Sequence, residues 1–281
     1  MNLRFAAAIL ALALTPAALF AAEGTFDKTL HVSGAATLKI NTGSGYIHIT
    51  PGPDGSVYIV GHVHSSNGWL SGSPEENVRR VTSNPPIEQN GNSIEVGQHT
   101  HYHNISIDYV VTAPRGTSIS ANTGSGDINV SNLGAPLRAG TGSGTIDAND
   151  LTGDVVLNTG SGDIRALMNH AQNVRAQTGS GNIHLMGVTG GLYAETGSGD
   201  IEVAGVPGSE WKITTGSGSV TLNTGSSRYA LDASTGSGDV HSDPPLTVHG
   251  SVNRHHVIGD INGSGGPTVR VETGSGDVRI H

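Results

Sequence analysis

The sequence predicts an all-β protein, a parallel β-solenoid with two short strands per rung of about eighteen residues and one short helix near its N-terminal end. Three observations carry this prediction. Thr-Gly-Ser-Gly begins at Thr42, Thr123, Thr141, Thr159, Thr178, Thr196, Thr215, Thr235 and Thr273, and from Thr123 to Thr235 the steps are 18, 18, 19, 18, 19 and 20. A fixed period of this size is the signature of a repeat architecture, in which each unit buries its apolar face against its neighbours. On both sides of the motif, apolar and polar residues alternate with period two, the pattern of half-buried strands. Beyond residue 22 the chain has one phenylalanine, Phe26, and two tryptophans, Trp69 and Trp211, too few large aromatics for a globular core, whereas 42 glycines suit a thin interior.

In chain order, residues 1–22 read as a secretory signal peptide. Arg4 precedes an apolar run from Phe5 to Ala22 broken only by Thr15 and Pro16, a charged start followed by a short hydrophobic stretch, with cleavage expected after Ala21 or Ala22. The chain has no cysteine, so neither disulfides nor a thiol-borne lipid anchor is available. Export to the periplasm, the outer surface or the extracellular space is the expectation.

Residues 23–118 form an N-terminal β region with longer rungs, continuous with the regular solenoid of 119–281. Leu38, Ile40 and Thr42 with Ile47 and Ile49 already read as a rung, followed by a strand over 56–64. Ser73, Pro74 and Glu76 form a capping box that starts the helix, and Pro85-Pro86 stop it. Asn90-Gly91 then makes a hairpin turn before a strand over 93–96, and 105–112 is another strand.

In the regular region, Ile119/Ala121/Thr123, Leu137/Ala139/Thr141 and their equivalents point inward before each motif, and Ile128/Val130, Ile146/Ala148 and their equivalents do so after it. Gly-Ser-Gly supplies positive φ and close backbone approach at one corner. A second corner follows Leu133, Leu151, Val188 and Val206. Asp127, Thr145, Asp163, Asn182, Asp200, Ser219, Asp239, Asp260 and Asp277 follow the second glycine, so stacked rungs place them in one column. Adjacent carboxylates at ~5 Å repel, and most of the column alternates charged with neutral, as stacking requires. Gly259-Asp260-Ile261 reads as a degenerate rung inside the 38-residue gap before Thr273. The last rung ends at His281 with nothing to cover it, which predicts weak self-association through a C-terminal edge.

The net charge of −9 argues against nucleic-acid binding, because no basic patch neutralises phosphates. The repeat aspartates recur once per eighteen residues, too sparsely for the calcium ladders of nine-residue repeats. Carboxylates two rungs apart, ~9.6 Å, approach the spacing used by inverting glycosidases, but rungs this short leave no loops for a groove. No Gly-x-Ser-x-Gly elbow and no Gly-Lys-Ser/Thr phosphate loop occurs, so no catalytic residue and no cofactor is expected. Histidine is in excess at 14. His62 and His64 share one strand face, as do His99, His101 and His103, and this spacing can chelate zinc or copper.

The Gly-Asn-Ser-Ile-Glu-Val at 91–96, the strand Ile107 to Ala113 ending at Pro114, and the Ser-Gly-Asp-Ile repeats resemble the bacterial toastrack or adhesin β-helix family across nearly the whole mature chain. That resemblance implies an envelope-associated β-helix and supplies no catalytic residues. The functional expectation is a noncatalytic exported envelope or surface protein, an adhesin or scaffold that binds a glycan, another envelope component or a second copy. The alternatives are a polysaccharide-active enzyme and a periplasmic metal-binding protein. The outward files fit the first reading: Arg138, Val156, Arg175, Tyr193 and Lys212 line one face beside Gly140, Asn158, Gln177, Glu195 and Thr214.

Overall fold

Each Thr-Gly-Ser-Gly motif turns the chain from one sheet into a second that faces it across a single apolar core. A computed structural model shows this arrangement and describes residues 22–66, 73–97, 104–249 and 253–281. The front sheet holds the strands that lead into the motif, such as Ser118–Thr123, Leu137–Thr141 and Gly191–Ser198. The back sheet holds those that leave it, such as Ile128–Ser131, Ile183–Val188 and Ile201–Gly205. Two long strands, Ile146–Thr159 and Ile164–Ser180, pass through the second corner and serve both sheets. The stack is parallel and in register: Leu137 pairs with Ile119 and Val155, and Ile164 with Ile146 and Ile183.

The core is a column of Ile, Leu, Val and Ala from Phe26 to Ile280, with Trp211, Tyr109 and Tyr229 as its largest fully buried members. Each fully buried Ile or Leu contributes roughly 1.5–3 kcal/mol. The repeat threonines are also buried, and this explains why threonine rather than valine recurs there. Thr123, Thr141, Thr159, Thr178, Thr196 and Thr215 each donate their hydroxyl, at 2.8–2.9 Å, to the carbonyl of the second motif glycine one rung back.

Close approach dictates the glycines. A Cβ on Gly144, Gly162 or Gly181 would sit 2.0–2.1 Å from the carbonyl oxygen of the glycine one rung back. Positive φ, expected at this corner, occurs at the second glycine of the later motifs, Gly199, Gly218, Gly238 and Gly276 (φ 141–158°), and is absent at Gly126, Gly144, Gly162 and Gly181. At the second corner Leu133, Leu151 and Val188 are buried as expected, but Val206 is 56 % exposed. A register irregularity that pairs Val188 with Gly205 shifts the corner by one residue and puts Pro207 inside.

The two ends of the stack depart from sequence order. The strands of the last motif, Thr268–Ser275 and Val278–Ile280, lie between the Thr215 and Thr235 rungs and pair with both. The expected free C-terminal edge therefore does not exist, and self-association through it is withdrawn. Residues 259–261 are likewise no rung: His256–Ile261 runs antiparallel to Tyr229–Ser237, and Leu246–Val248 runs antiparallel to His256–Ile261. Antiparallel pairing at this end lets a short hairpin cover the front sheet.

The N-terminal end is threaded in the same way. Thr37–Thr42 and Ile47–Pro51, the first motif rung, lie between Ser118–Thr123 and Ile128–Ser131 on one side and Ser93–Val96 and Ile105–Ala113 on the other. Ser56–Ser65 and Ala22–His31 then add antiparallel strands to the back sheet. The helix Pro74–Ser83 packs on these two strands, with the Ser73 hydroxyl accepting the Glu76 N–H at 3.1 Å as the capping box predicts. Ile87–Asn90 and Ser93–Val96 form the expected hairpin, with Gly91 at φ 59° in its turn.

Candidate functional site

Most of the residues that follow a second motif glycine fasten one rung to the next. Asp127 accepts the Thr145 N–H, Asp163 that of Asn182, Asn182 that of Asp200, and Asp200 that of Ser219, all at 2.8–2.9 Å. Ser219 then accepts from Asp277 at 3.3 Å, and Asp277 from Asp239 at 3.1 Å. The carboxylates thus act as backbone acceptors. In spatial order, charged and neutral residues alternate until Asp277 meets Asp239, and these two are flanked by Arg279 at 2.5 Å and Arg254 at 3.8 Å. Asp260, expected in this column, instead pairs with His249 at 2.9 Å on the terminal hairpin.

Both outward faces carry single files of side chains, because in-register strands place equivalent residues one above another at ~4.8 Å. In the regular rungs of the back sheet the basic members pair with carboxylates within the file or its neighbour. Arg165 lies 2.6 Å from Asp163 and 3.8 Å from Asp147, His184 lies 3.0 Å from Glu202, and Arg279 contacts Asp277.

The front sheet differs. Register places Ser120, Arg138, Val156, Arg175, Tyr193, Lys212, Arg270 and Asp232 in one file. The sequence reading found the stretch from Arg138 to Lys212 but missed Arg270, because sequential stacking put it three rungs away. Arg138, Arg175 and Lys212 are exposed, and none forms an ion pair with a carboxylate among the described residues. Arg175 lies 4.2 Å from the centre of the Tyr193 ring and Lys212 lies 6.0 Å from it, both within range of a cation–π attraction. The Arg175 Nε donates to Gln177 at 2.9 Å, while Gln177 and the Tyr193 hydroxyl donate to Glu195 at 2.8 and 2.7 Å. These hydrogen bonds, Tyr193's first and Gln177's second, hold the Glu195 carboxyl below its ordinary range. The Tyr193 hydroxyl is raised by the same bond and then by desolvation. An open cleft of about 360 Å³ runs beside the file, where Asp154, Asn173, Ser209 and Glu210 line one side and Arg138 and Arg175 the other.

Of the expected metal ligands, His62 and His64 lie on Ser56–Ser65, whereas His99, His101 and His103 fall outside the described residues. His64 places Nε2 3.1 Å from Asp108 and Nδ1 3.5 Å from Glu23, and His62 lies 3.4 Å from the Thr25 hydroxyl. Among the described residues, no three His, Asp or Glu side chains converge in a metal-binding arrangement. Imidazole–carboxylate pairing accounts for many of the histidines: His184, His241, His249, His256 and His281, like His64, each lie within 3.1 Å of an Asp or Glu oxygen. Asp243, between His281 and His241, is held below the ordinary carboxylate range by its hydrogen bonds to the two rings, His281's first.

Comparison with solved structures finds likenesses at low identity and low TM-score. A protein named "putative adhesin" from Bacteroides fragilis is 14% identical, with a TM-score of 0.44 over 92% of this chain and 97% of that one. A "putative cell adhesion protein" from Clostridium sporogenes is 15% identical, with a TM-score of 0.29 over 92% and 99%. A "putative lipid binding protein" from Parabacteroides distasonis is 10% identical, with a TM-score of 0.40 over 92% and 96%. No curated protein matches the chain. The family profile described as Toastrack DUF4097 matches residues 36–281, most of the sequence, and the chain belongs to that family.

Proposed function

We propose that this protein is a noncatalytic, exported component of a bacterial envelope or surface, an adhesin or scaffold that binds through the outward face of its front sheet. One observation carries the reading: among the described residues Arg138, Arg175 and Lys212 stand exposed in a single file and none closes a direct ion pair with a carboxylate, Glu195 acting on Arg175 and Lys212 only through space, whereas Arg165 and Arg279 on the back sheet each sit against an aspartate. Unneutralised charge held on a rigid sheet is preorganised for a ligand and costs little to order on binding. The glycine columns fix that rigidity, since backbone lies against backbone at each motif corner. Residues 1–22 support export. A glycan array combined with pull-down from envelope extract tests the reading. Retention of a defined glycan or identified envelope component supports it. Release of new reducing ends from a bound polysaccharide would move the protein among enzymes, and failure to retain any component would overturn it.

A further inference from the structure

We infer that the front-sheet file is a docking site for a linear acidic polysaccharide, one bearing a carboxylate on every second sugar, lying along the long axis of the solenoid. This rests on the binding role proposed above and specifies its ligand. Arg138, Arg175 and Lys212 occupy alternate rungs of one register column, and Val156 and Tyr193 stand between them. Rungs stack at ~4.8 Å, so the charges repeat at ~9.6 Å along a straight line. An extended glycan with alternating acidic and neutral sugars presents its carboxylates in such a line. A guanidinium matches a carboxylate with two parallel hydrogen bonds.

The neighbouring groups suit the rest of such a chain. Asp154, Asn173, Ser209 and Glu210 line the cleft beside the file, and their oxygen and amide groups can pair with sugar hydroxyls. The side chain of Val156, between Arg138 and Arg175, offers an apolar contact for the face of a neutral sugar. Arg270 extends the file one rung beyond Lys212, but it is held by Asp232 at 3.2 Å, which marks the end of the unneutralised segment.

A flat anionic membrane is the competing partner and fits less well. The cations form one file rather than a patch, so a linear chain can follow them whereas a flat surface meets only a single row of charges.

The test uses the mature chain, hyaluronan oligosaccharides, chitin oligosaccharides as a neutral comparator, and vesicles containing phosphatidylglycerol. Calorimetry at low salt is expected to show hyaluronan binding that weakens as salt rises, with no uptake of chitin oligosaccharides. Arg175→Gln/Lys212→Gln should weaken it by about tenfold or more. Arg165→Gln/Arg279→Gln, which removes the same charge from the back sheet, should change it less than about twofold. Equal losses in the two double variants would show mere net-charge attraction and overturn the site. Binding to vesicles without binding to hyaluronan would assign the file to membranes and overturn the proposal. Capture of an identified envelope component by a chain that ignores hyaluronan would overturn the acidic-glycan assignment alone and leave the binding role standing. Melting curves matching the parent confirm that the exposed substitutions leave the fold intact.

Discussion

At Gly162 a methyl group would be placed 2.0 Å from the Gly144 carbonyl oxygen, and the obstacle is backbone rather than a side chain that could swing away. The rungs would have to separate locally, and the Thr159 hydroxyl bond to Gly144 at 2.9 Å would stretch with them. Gly162→Ala should therefore cost roughly 1–3 kcal/mol, the usual range for forcing volume into close-packed structure. Asp163→Asn retains an oxygen to accept the Asn182 N–H, as Asn182 itself does for Asp200, and loses only the exposed pairing with Arg165. Its cost should stay below about 1 kcal/mol. Urea melts of both variants check the order, and the reverse ranking would mean that the carboxylate does more than accept a backbone proton. Glu195 gives a second residue-scale prediction. Its carboxyl is held low chiefly by the Tyr193 hydroxyl, so Tyr193→Phe should raise it toward the ordinary glutamate value, followed by NMR titration. Because the folded value lies below the unfolded one, its stabilising contribution is complete above the unfolded value and is lost as pH falls through the folded value. Tyr193→Phe should move that loss to higher pH.

Among the elements, those with a local chemical signature were legible in the sequence. The helix was readable because Ser73, Pro74 and Glu76 each have one role at a helix start, and the structure uses the Ser73 hydroxyl as cap. Ser73→Ala should destabilise the N-terminal end by about 1 kcal/mol, seen as faster amide exchange across Pro74–Ser83 before any change elsewhere. The hairpin at Asn90-Gly91 was readable for a similar reason, because its turn requires positive φ. Strand Ala22–His31 was not readable. It buries only Phe26 and Leu30, without steady alternation, because it is an edge strand covered in part by the helix. Val206 was misplaced at the second corner because a one-residue irregularity moves no apolar residue type in or out of the pattern: Pro207 fills the position instead. The candidate binding face was legible as far as Lys212, since period two fixes which residues of a strand point outward. That Arg138, Arg175 and Lys212 close no direct ion pair among the described residues was not legible, because it depends on side-chain positions across strands.

For the whole molecule, the repeat period reveals a stack but not the order of its rungs. Both ends send chain outward past the terminal motif rung, so that each terminal rung is paired on both sides. Unpaired parallel edges invite association, and burying the chain's outermost repeats between others avoids offering them. One sequence hint existed. In sequence order Asp239, Asp260 and Asp277 break the alternation of charged and neutral residues, and the spatial order resolves most of that conflict by moving Asp277 beside Ser219 and Asp260 out of the column. The same threading brings Arg270 beside Lys212 and ends the basic file at Asp232. The chain lacks cysteine, so introduced pairs can report this order directly. Arg279 pairs with both Thr221 and His241 on the back sheet. Thr221 and His241 are therefore two rungs apart, ~9.6 Å, beyond the Cα separation of about 7 Å that a disulfide can bridge. Mild oxidation should cross-link Thr221→Cys/Arg279→Cys and Arg279→Cys/His241→Cys within one chain but leave Thr221→Cys/His241→Cys reduced. Efficient bridging of Thr221→Cys/His241→Cys, with none to position 279, would show rungs stacked in sequence order and contradict the threaded fold.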